Sequence, residues 1–270
     1  MKPIIKWAGG KRWLLPILEK IFEPHQGIKL VEPFIGGMAV ALGLNPESAL
    51  LNDVNVHLIN FYKQVKKGLK IPYQFKNNAD FYYEMRDKFN TLISNNKYRN
   101  AEAASIFYFL IRTGYNGLCR FNSQGEFNVP FGQHRSIKYK TDFFEYKEIL
   151  KNWNLMQGDF QNLELQGNEF LYADPPYDVE FTEYYAKGFT WDDQLRLAKW
   201  LSEHKGPVVA SNQATKRILE LYQDLKFKIF IVSAPRKIAC NGDRQPALEM
   251  LALKGFKTNF MKDIRDKIKL

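Results

Sequence analysis

Seven short apolar runs punctuate the chain: Lys29-Leu30-Val31, Ala49-Leu50-Leu51, and residues 154–157, 170–173, 207–210, 227–232 and 248–253. Runs this short suit strands buried on both faces, a situation that a parallel sheet covered by helices provides. Helix-patterned segments lie between them, among them residues 38–44, 191–201 and 215–222, and Val56, Ile59, Phe61 and Val65 share a helical spacing. The expected fold is therefore α/β. The last two runs are joined by a polar loop, so the mostly parallel sheet is expected to end in a C-terminal antiparallel hairpin strand. Residues 68–146 interrupt the pattern, with many Asn, Tyr, Phe and Lys, an apolar helical stretch at residues 101–111 and a turn-rich aromatic stretch from Thr113 to Gly132. They are expected to form an inserted helical lobe between a first sheet part, residues 1–67, and a second, residues 147–270.

Charge narrows the partners. Thirty-nine Lys plus Arg against 29 Asp plus Glu leave the 270 residues at +10, which favours a polyanion because each phosphate neutralised releases condensed counterions. Residues 235–270 alone carry nine basic against four acidic side chains, and the polar loop at residues 236–244 is expected to hold a DNA backbone. Two cysteines and four scattered histidines exclude a disulfide framework and any zinc spacing, so no metal is expected. The longest strongly apolar run, residues 106–111, is far below the roughly 18 residues of a membrane span. The opening Met1-Lys2-Pro3-Ile4-Ile5-Lys6-Trp7 has no signal-peptide core. No membrane partner and a cytoplasmic location are the expectation.

Asp174-Pro175-Pro176-Tyr177 follows the run at residues 170–173 directly. Two prolines fix φ and remove two N–H donors, so the Asp174 carboxylate and the Pro175 carbonyl can stand side by side as acceptors. An exocyclic amine has two N–H donors to meet them. Tyr177 adds a flat face on which a base can stack, worth roughly 1–3 kcal/mol. Earlier in the chain, Glu32 closes the first run and Asp53 the second, 21 residues on, with Phe34, Gly36 and Gly37 between them. Strand, glycine turn, helix, strand, acid is the order of a nucleotide-binding α/β half, in which an acid meets ribose hydroxyls. The stretch from Arg112 to Arg120 combines two arginines, Tyr115, Asn116 and Leu118 around two glycines, the composition of a rigid loop able to enter a groove.

Taken together, in this order, the motifs resemble the Dam-type DNA adenine-N6 methyltransferases that depend on S-adenosylmethionine (SAM). The resemblance runs through Lys6-Trp7-Ala8-Gly9-Gly10-Lys11, Glu32-Pro33-Phe34-Ile35-Gly36-Gly37, Asn52-Asp53, Gly114 to Asn122, Gly125 to Gly132, and Asp174 to Tyr177. Met38 stands where the family's F-x-G-x-G pattern has its last glycine, and Gln133 where relatives often carry a basic residue. The resemblance implies a Rossmann-like SAM-dependent methyltransferase sheet with an inserted target-recognition lobe. It implies a cofactor site of Trp7, Lys11, Glu32, Phe34, Gly36, Asp53 and Asp174, with Asp159 and Phe160 on the cofactor's adenine. Asp174, Pro175, Pro176 and Tyr177 would carry the transfer to an adenine flipped out of duplex DNA.

For DNA, the resemblance implies that Arg120 reads a guanine of GATC and Lys6 the first guanine. Leu118 and Pro130 would pack on a thymine or nearby bases, Tyr115 would intercalate, Asn116 would meet the strand left behind and Arg112 a phosphate. The basic excess is then expected on one face formed by Lys6, Arg112, Arg120 and residues 236–244. The expected state is a monomer in solution, with room for more than one copy on DNA, in a bacterial or phage setting and associated with the nucleoid when bound. An N4-cytosine or RNA-adenine methyltransferase stays open, because the same acceptors suit any conjugated exocyclic amine. A non-catalytic nucleic-acid-binding protein on this fold would be missing an acid, and every acid is present.

Overall fold

A computed structural model describes residues 1–178, 188–235, 247–261 and 264. The loop at residues 236–244, expected to hold DNA backbone, lies outside the described residues. In chain order the elements are α1 (Leu15–Phe22), β1 (Leu30–Glu32), α2 (Ala39–Leu44), β2 (Ala49–Asp53), α3 (Val56–Lys67), α4 (Ala79–Ser94), α5 (Ala101–Thr113), α6 (Phe144–Leu150), β3 (Trp153–Gln157), β4 (Phe170–Ala173), α7 (Trp191–Glu203), β5 (Val208–Gln213), α8 (Lys216–Asp224), β6 (Lys228–Ala234) and β7 (Ala247–Lys254). Side-chain caps start the longer helices: Asn55 for α3, Asn78 for α4, Asn100 for α5 and Thr215 for α8, with a Thr190–Asp193 capping box for α7.

The seven strands form one sheet in the order β3-β2-β1-β4-β5-β7-β6. All neighbours are parallel except β7, which runs antiparallel to both β5 and β6. This is the mostly parallel α/β sheet with a C-terminal antiparallel pair that the apolar runs predict.

Alternation along each strand divides the core in two, since successive side chains point to opposite faces. Leu30, Leu51, Phe170, Tyr172, Val209 and Leu251 pack on one face, with α1, α2, α3 and α5. Val31, Leu50, Leu171, Ala173, Val208, Ala210 and Met250 pack on the other, with α7 and α8. The first core continues without a break from the sheet through Phe61 and Val65 of α3 into Phe107 and Phe109 of α5 and Phe89 of α4.

Strand order places the chemistry. The chain turns one way from β1 to β2 and β3, and the other way from β4 to β5, so a crevice opens at the carboxyl ends of β1 and β4, the position where open α/β sheets bind ligands. Glu32, Asp53 and Asp174 end β1, β2 and β4 or directly follow them there.

Candidate active site

The Asp174–Tyr177 turn leaves β4 into the crevice and is tied down on all sides. Ser211 of β5 donates to Asp174 Oδ1 at 2.8 Å, and Lys11 Nζ stands 3.1 Å from the same oxygen. Tyr172 shares a 3.1 Å hydrogen bond with Ser211. Buried Gln194 donates to the Pro176 carbonyl at 2.9 Å, and buried Asn212 donates to Gln194 Oε1 at 3.0 Å. Asp178, next in the chain, is paired with Arg217. The Asp174 side chain keeps 18% exposure toward the crevice. Burial raises its pKa above the ordinary carboxylate value, while Lys11 and Ser211 hold it down. Tyr177 donates to Glu249 Oε2 of β7 at 2.6 Å, and burial, then Asp174 and Glu249, keep its hydroxyl protonated.

A second cluster lies across the crevice. Asp53 accepts from Gly36 N (3.1 Å) and Asn55 N (2.9 Å), which closes the loop after β1 onto the end of β2. Asn52 Nδ2 bonds the carbonyls of Pro33 and Gly158, both at 3.0 Å, and so joins the ends of β1, β2 and β3. Glycine is required at positions 36 and 37. A Cβ on Gly36 would lie 2.8 Å from the Trp7 indole and one on Gly37 2.9 Å from Trp7 Cβ, and Gly36 has φ +44°. Met38, where the family pattern has glycine, also takes a left-handed backbone, φ 56°, with its side chain fully buried. Burial raises the Asp53 carboxyl, offset by its backbone N–H partners, and pushes Glu32 well above the carboxylate range. Glu32 Oε1 is buried without a hydrogen-bond partner among the described residues. Lys11, 3% exposed, bonds the Gly9 carbonyl at 2.8 Å while facing Asp174.

The rings of Phe34, Phe160 and Phe189 meet beside this cluster, with centroids 5.7 Å apart for Phe34–Phe160 and 5.5 Å for Phe34–Phe189. Asp159, which caps the turn at Phe160, is gripped by Arg196 at 2.9 and 2.8 Å, and the same guanidinium lies 4.6 Å over the Phe160 ring. That pair of hydrogen bonds holds the Asp159 carboxyl below its ordinary pKa. Phe160 itself is 2% exposed under Arg196, so the half-buried Phe34 is the ring left to offer a face to a heterocyclic base.

The loop after α5 forms the rim. Tyr115 N bonds the Pro130 carbonyl at 2.9 Å, and Gly117 packs so tightly that a Cβ there would lie 2.9 Å from Lys6 Cβ. Lys6, Tyr115, Asn116 and Pro130 are thereby brought together and exposed, Tyr115 at 51%. Leu118 is half-buried. Arg120 bonds the Asn128 side chain at 2.8 Å and its carbonyl at 3.1 Å. Arg112, expected at a phosphate, lies partly buried and binds the carbonyls of Ile4 (3.3 Å) and Lys138 (2.9 Å), so it staples the N-terminal segment to the insert. Asn55, the cap of α3, reaches Cys119 Sγ at 3.3 Å, and burial pushes that thiol up to about 12.

Ser211, Gln194, Asn212, Arg196, Asn55 and Glu249 escape the sequence reading. Only Glu249 leaves a local signal, as the one acid inside the apolar run at residues 248–253. Among the described residues no group of His, Cys, Asp and Glu could hold a metal, and no helix is long and apolar enough to cross a membrane.

Comparison with known proteins gives this arrangement a lineage. The family described as D12 class N6 adenine-specific DNA methyltransferase matches residues 7–238. The retron Ec67 DNA adenine methylase of Escherichia coli is 35% identical over 94% of this chain and 92% of its own. The DNA adenine methylase of Escherichia coli strain K12 is 35% identical over 93% of this chain and 95% of its own. The type II methyltransferase M.MjaIII of Methanocaldococcus jannaschii is 33% identical over 91% and 95%.

Proposed function

The chain belongs to the D12 class N6 adenine-specific DNA methyltransferases, which use S-adenosylmethionine, and on that premise we propose that it methylates N6 of an adenine flipped out of duplex DNA at GATC. The observation that carries the reading is the Asp174 carboxylate, fixed by Ser211 and Lys11 at the head of a rigid Pro-Pro turn in the crevice beside Asp53. The residues fit the cofactor. Gly36 and Gly37 let Trp7 pack directly on the loop after β1, the unpartnered Glu32 Oε1 and the Asp53 carboxylate are acceptors for hydroxyl donors, and the half-buried Phe34 with Asp159 suits an adenine. Trp7 packs on the two glycines and Lys11 faces Asp174.

When bound, S-adenosylmethionine supplies a methyl carbon on a sulfonium, whose sulfur keeps the bonding electrons and leaves as a neutral thioether. The protein's part is alignment of nitrogen, carbon and sulfur, for which effective molarity is the main lever. Adenine N6 is a poor nucleophile because its lone pair is conjugated into the ring. Asp174 and the Pro175 carbonyl accept its two hydrogens, favour a pyramidal nitrogen and stabilise the positive charge as it develops. Asp174 takes the proton late and passes it to water. Tyr177 offers the face on which the flipped base stacks, and extrusion costs a few kcal/mol.

On the rim, Lys6 and Arg120 read guanines, Tyr115 fills the opened step, Leu118 and Pro130 pack on neighbouring bases and Asn116 meets the strand left behind. Arg112 serves this face by seating the segment that carries Lys6. Residues 68–146 act as the recognition insert between the two parts of the methyltransferase sheet. A nucleoside digest of methylated duplex tests the reaction: N6-methyladenine is the expected product, and N4-methylcytosine, or methylation of RNA in preference to duplex DNA, overturns the reading.

A further inference from the structure

Glu249 lies on β7, outside the residues 7–238 that the family matches, yet its carboxylate reaches the Tyr177 end of the Asp174–Tyr177 turn. Its position is set by register, opposite Gln213 of β5 on one side and Val232 of β6 on the other, and its side chain is buried. Oε2 accepts the Tyr177 hydroxyl at 2.6 Å and stands 3.9 Å from Lys11 Nζ. The same ammonium is 3.1 Å from Asp174 Oδ1 and 4.6 Å above the Tyr177 ring centre. One lysine therefore lies between two carboxylates, with the tyrosine ring beneath it. Two prolines hold the backbone end of that ring, and Glu249 holds the far end.

We propose that Glu249 is a positioning residue for methyl transfer: by anchoring the Tyr177 hydroxyl it fixes the plane on which the adenine stacks relative to the Asp174 carboxylate. This inference rests on the reading of the crevice as an adenine methyltransferase site. Glu249 acts through Tyr177 and does not itself meet the reacting atoms. Orientation is where such an anchor matters, because a displacement of about 1 Å at the reacting pair can cost on the order of a hundredfold in rate.

The test is a double-mutant cycle in single-turnover methyl transfer to a GATC duplex, with enzyme saturated in S-adenosylmethionine. Glu249→Leu and Tyr177→Phe are each expected to slow transfer about tenfold while the Kd for S-adenosylmethionine stays within about twofold. In the Tyr177→Phe background, Glu249→Leu is expected to add less than about twofold. Glu249→Gln, which keeps an acceptor oxygen in place, is expected to return the rate to within about threefold of wild type. If Glu249→Leu does not fold, Glu249→Asp, one methylene too short to reach the hydroxyl, takes its place in the cycle. Losses that multiply in the double variant, a wild-type rate in Glu249→Leu, or a Gln variant as slow as the Leu variant would each overturn the anchor. A wild-type protein that methylates no adenine would instead overturn the reading of the site.

Discussion

The crevice at the strand ends and the rim above it hold their working side chains in different ways. In the crevice, Asp174, Asp53 and Asp159 each receive at least two hydrogen bonds or ion pairs, from Ser211, Lys11, Gly36, Asn55 and Arg196. On the rim the backbone is fixed, through Tyr115 N to Pro130 and Gly117 against Lys6, while the Lys6, Tyr115, Asn116 and Pro130 side chains stay exposed; Arg120, held by two hydrogen bonds to Asn128, is the exception. Methyl transfer needs dipoles set before the reaction, because reorganising them during it costs rate. Reading a deformable duplex tolerates side chains that settle on binding, since rotamer changes at an interface are common.

Substitutions on the two sides should separate accordingly. Asp174→Ala is expected to lower the single-turnover rate about 10³-fold, the scale of losing a preorganised charge-stabilising group, while DNA binding by gel shift remains. Arg120→Ala is expected to spare S-adenosylmethionine binding and to reduce discrimination between GATC and its third-position variants by about 1–3 kcal/mol. If the Arg120 variant lost cofactor binding, or the Asp174 variant altered site choice at unchanged rate, the division between chemistry and reading would break. The smallest effect is in pH. In the proposed mechanism Asp174 acts as the charged carboxylate, and burial raises its pKa, so activity is expected to fall with acid at a pH above the ordinary aspartate value of about 3.9. Because Lys11 lowers that pKa, Lys11→Met should move the acid limb of the pH–rate profile to higher pH. A limb that stays in place or moves down would show that the ammonium does not act on Asp174.

The same contrast explains what a reader of the sequence can see. β4 matches its apolar run residue for residue, Phe170–Ala173, because all four side chains are buried in the two cores, with only the Tyr172 hydroxyl reaching toward Ser211. β5 outruns its apolar run and continues to Gln213, since Ser211 and Asn212 keep pairing with β7 while Ser211 turns to Asp174 and Asn212, on the opposite face, to Gln194 of α7. β2 likewise extends through Asn52 and Asp53. Where a strand starts to do chemistry it stops looking like a strand. The acids and the Pro-Pro turn are legible because each is set by its own neighbours in the chain. Their partners are not, because Ser211 lies 37 residues from Asp174, Arg196 37 from Asp159 and Glu249 72 from Tyr177, and only the folded sheet brings them together. Arg112 shows the converse, a charge that suggests phosphate in the sequence and proves to bind two backbone carbonyls in the fold.

One measurement bears most directly on the whole account: transfer of tritium from labelled S-adenosylmethionine to short duplexes that contain GATC or GTTC and are otherwise identical. Label in the GATC duplex and none in the GTTC duplex is the predicted result. Label in both, in GTTC alone or in neither would contradict it.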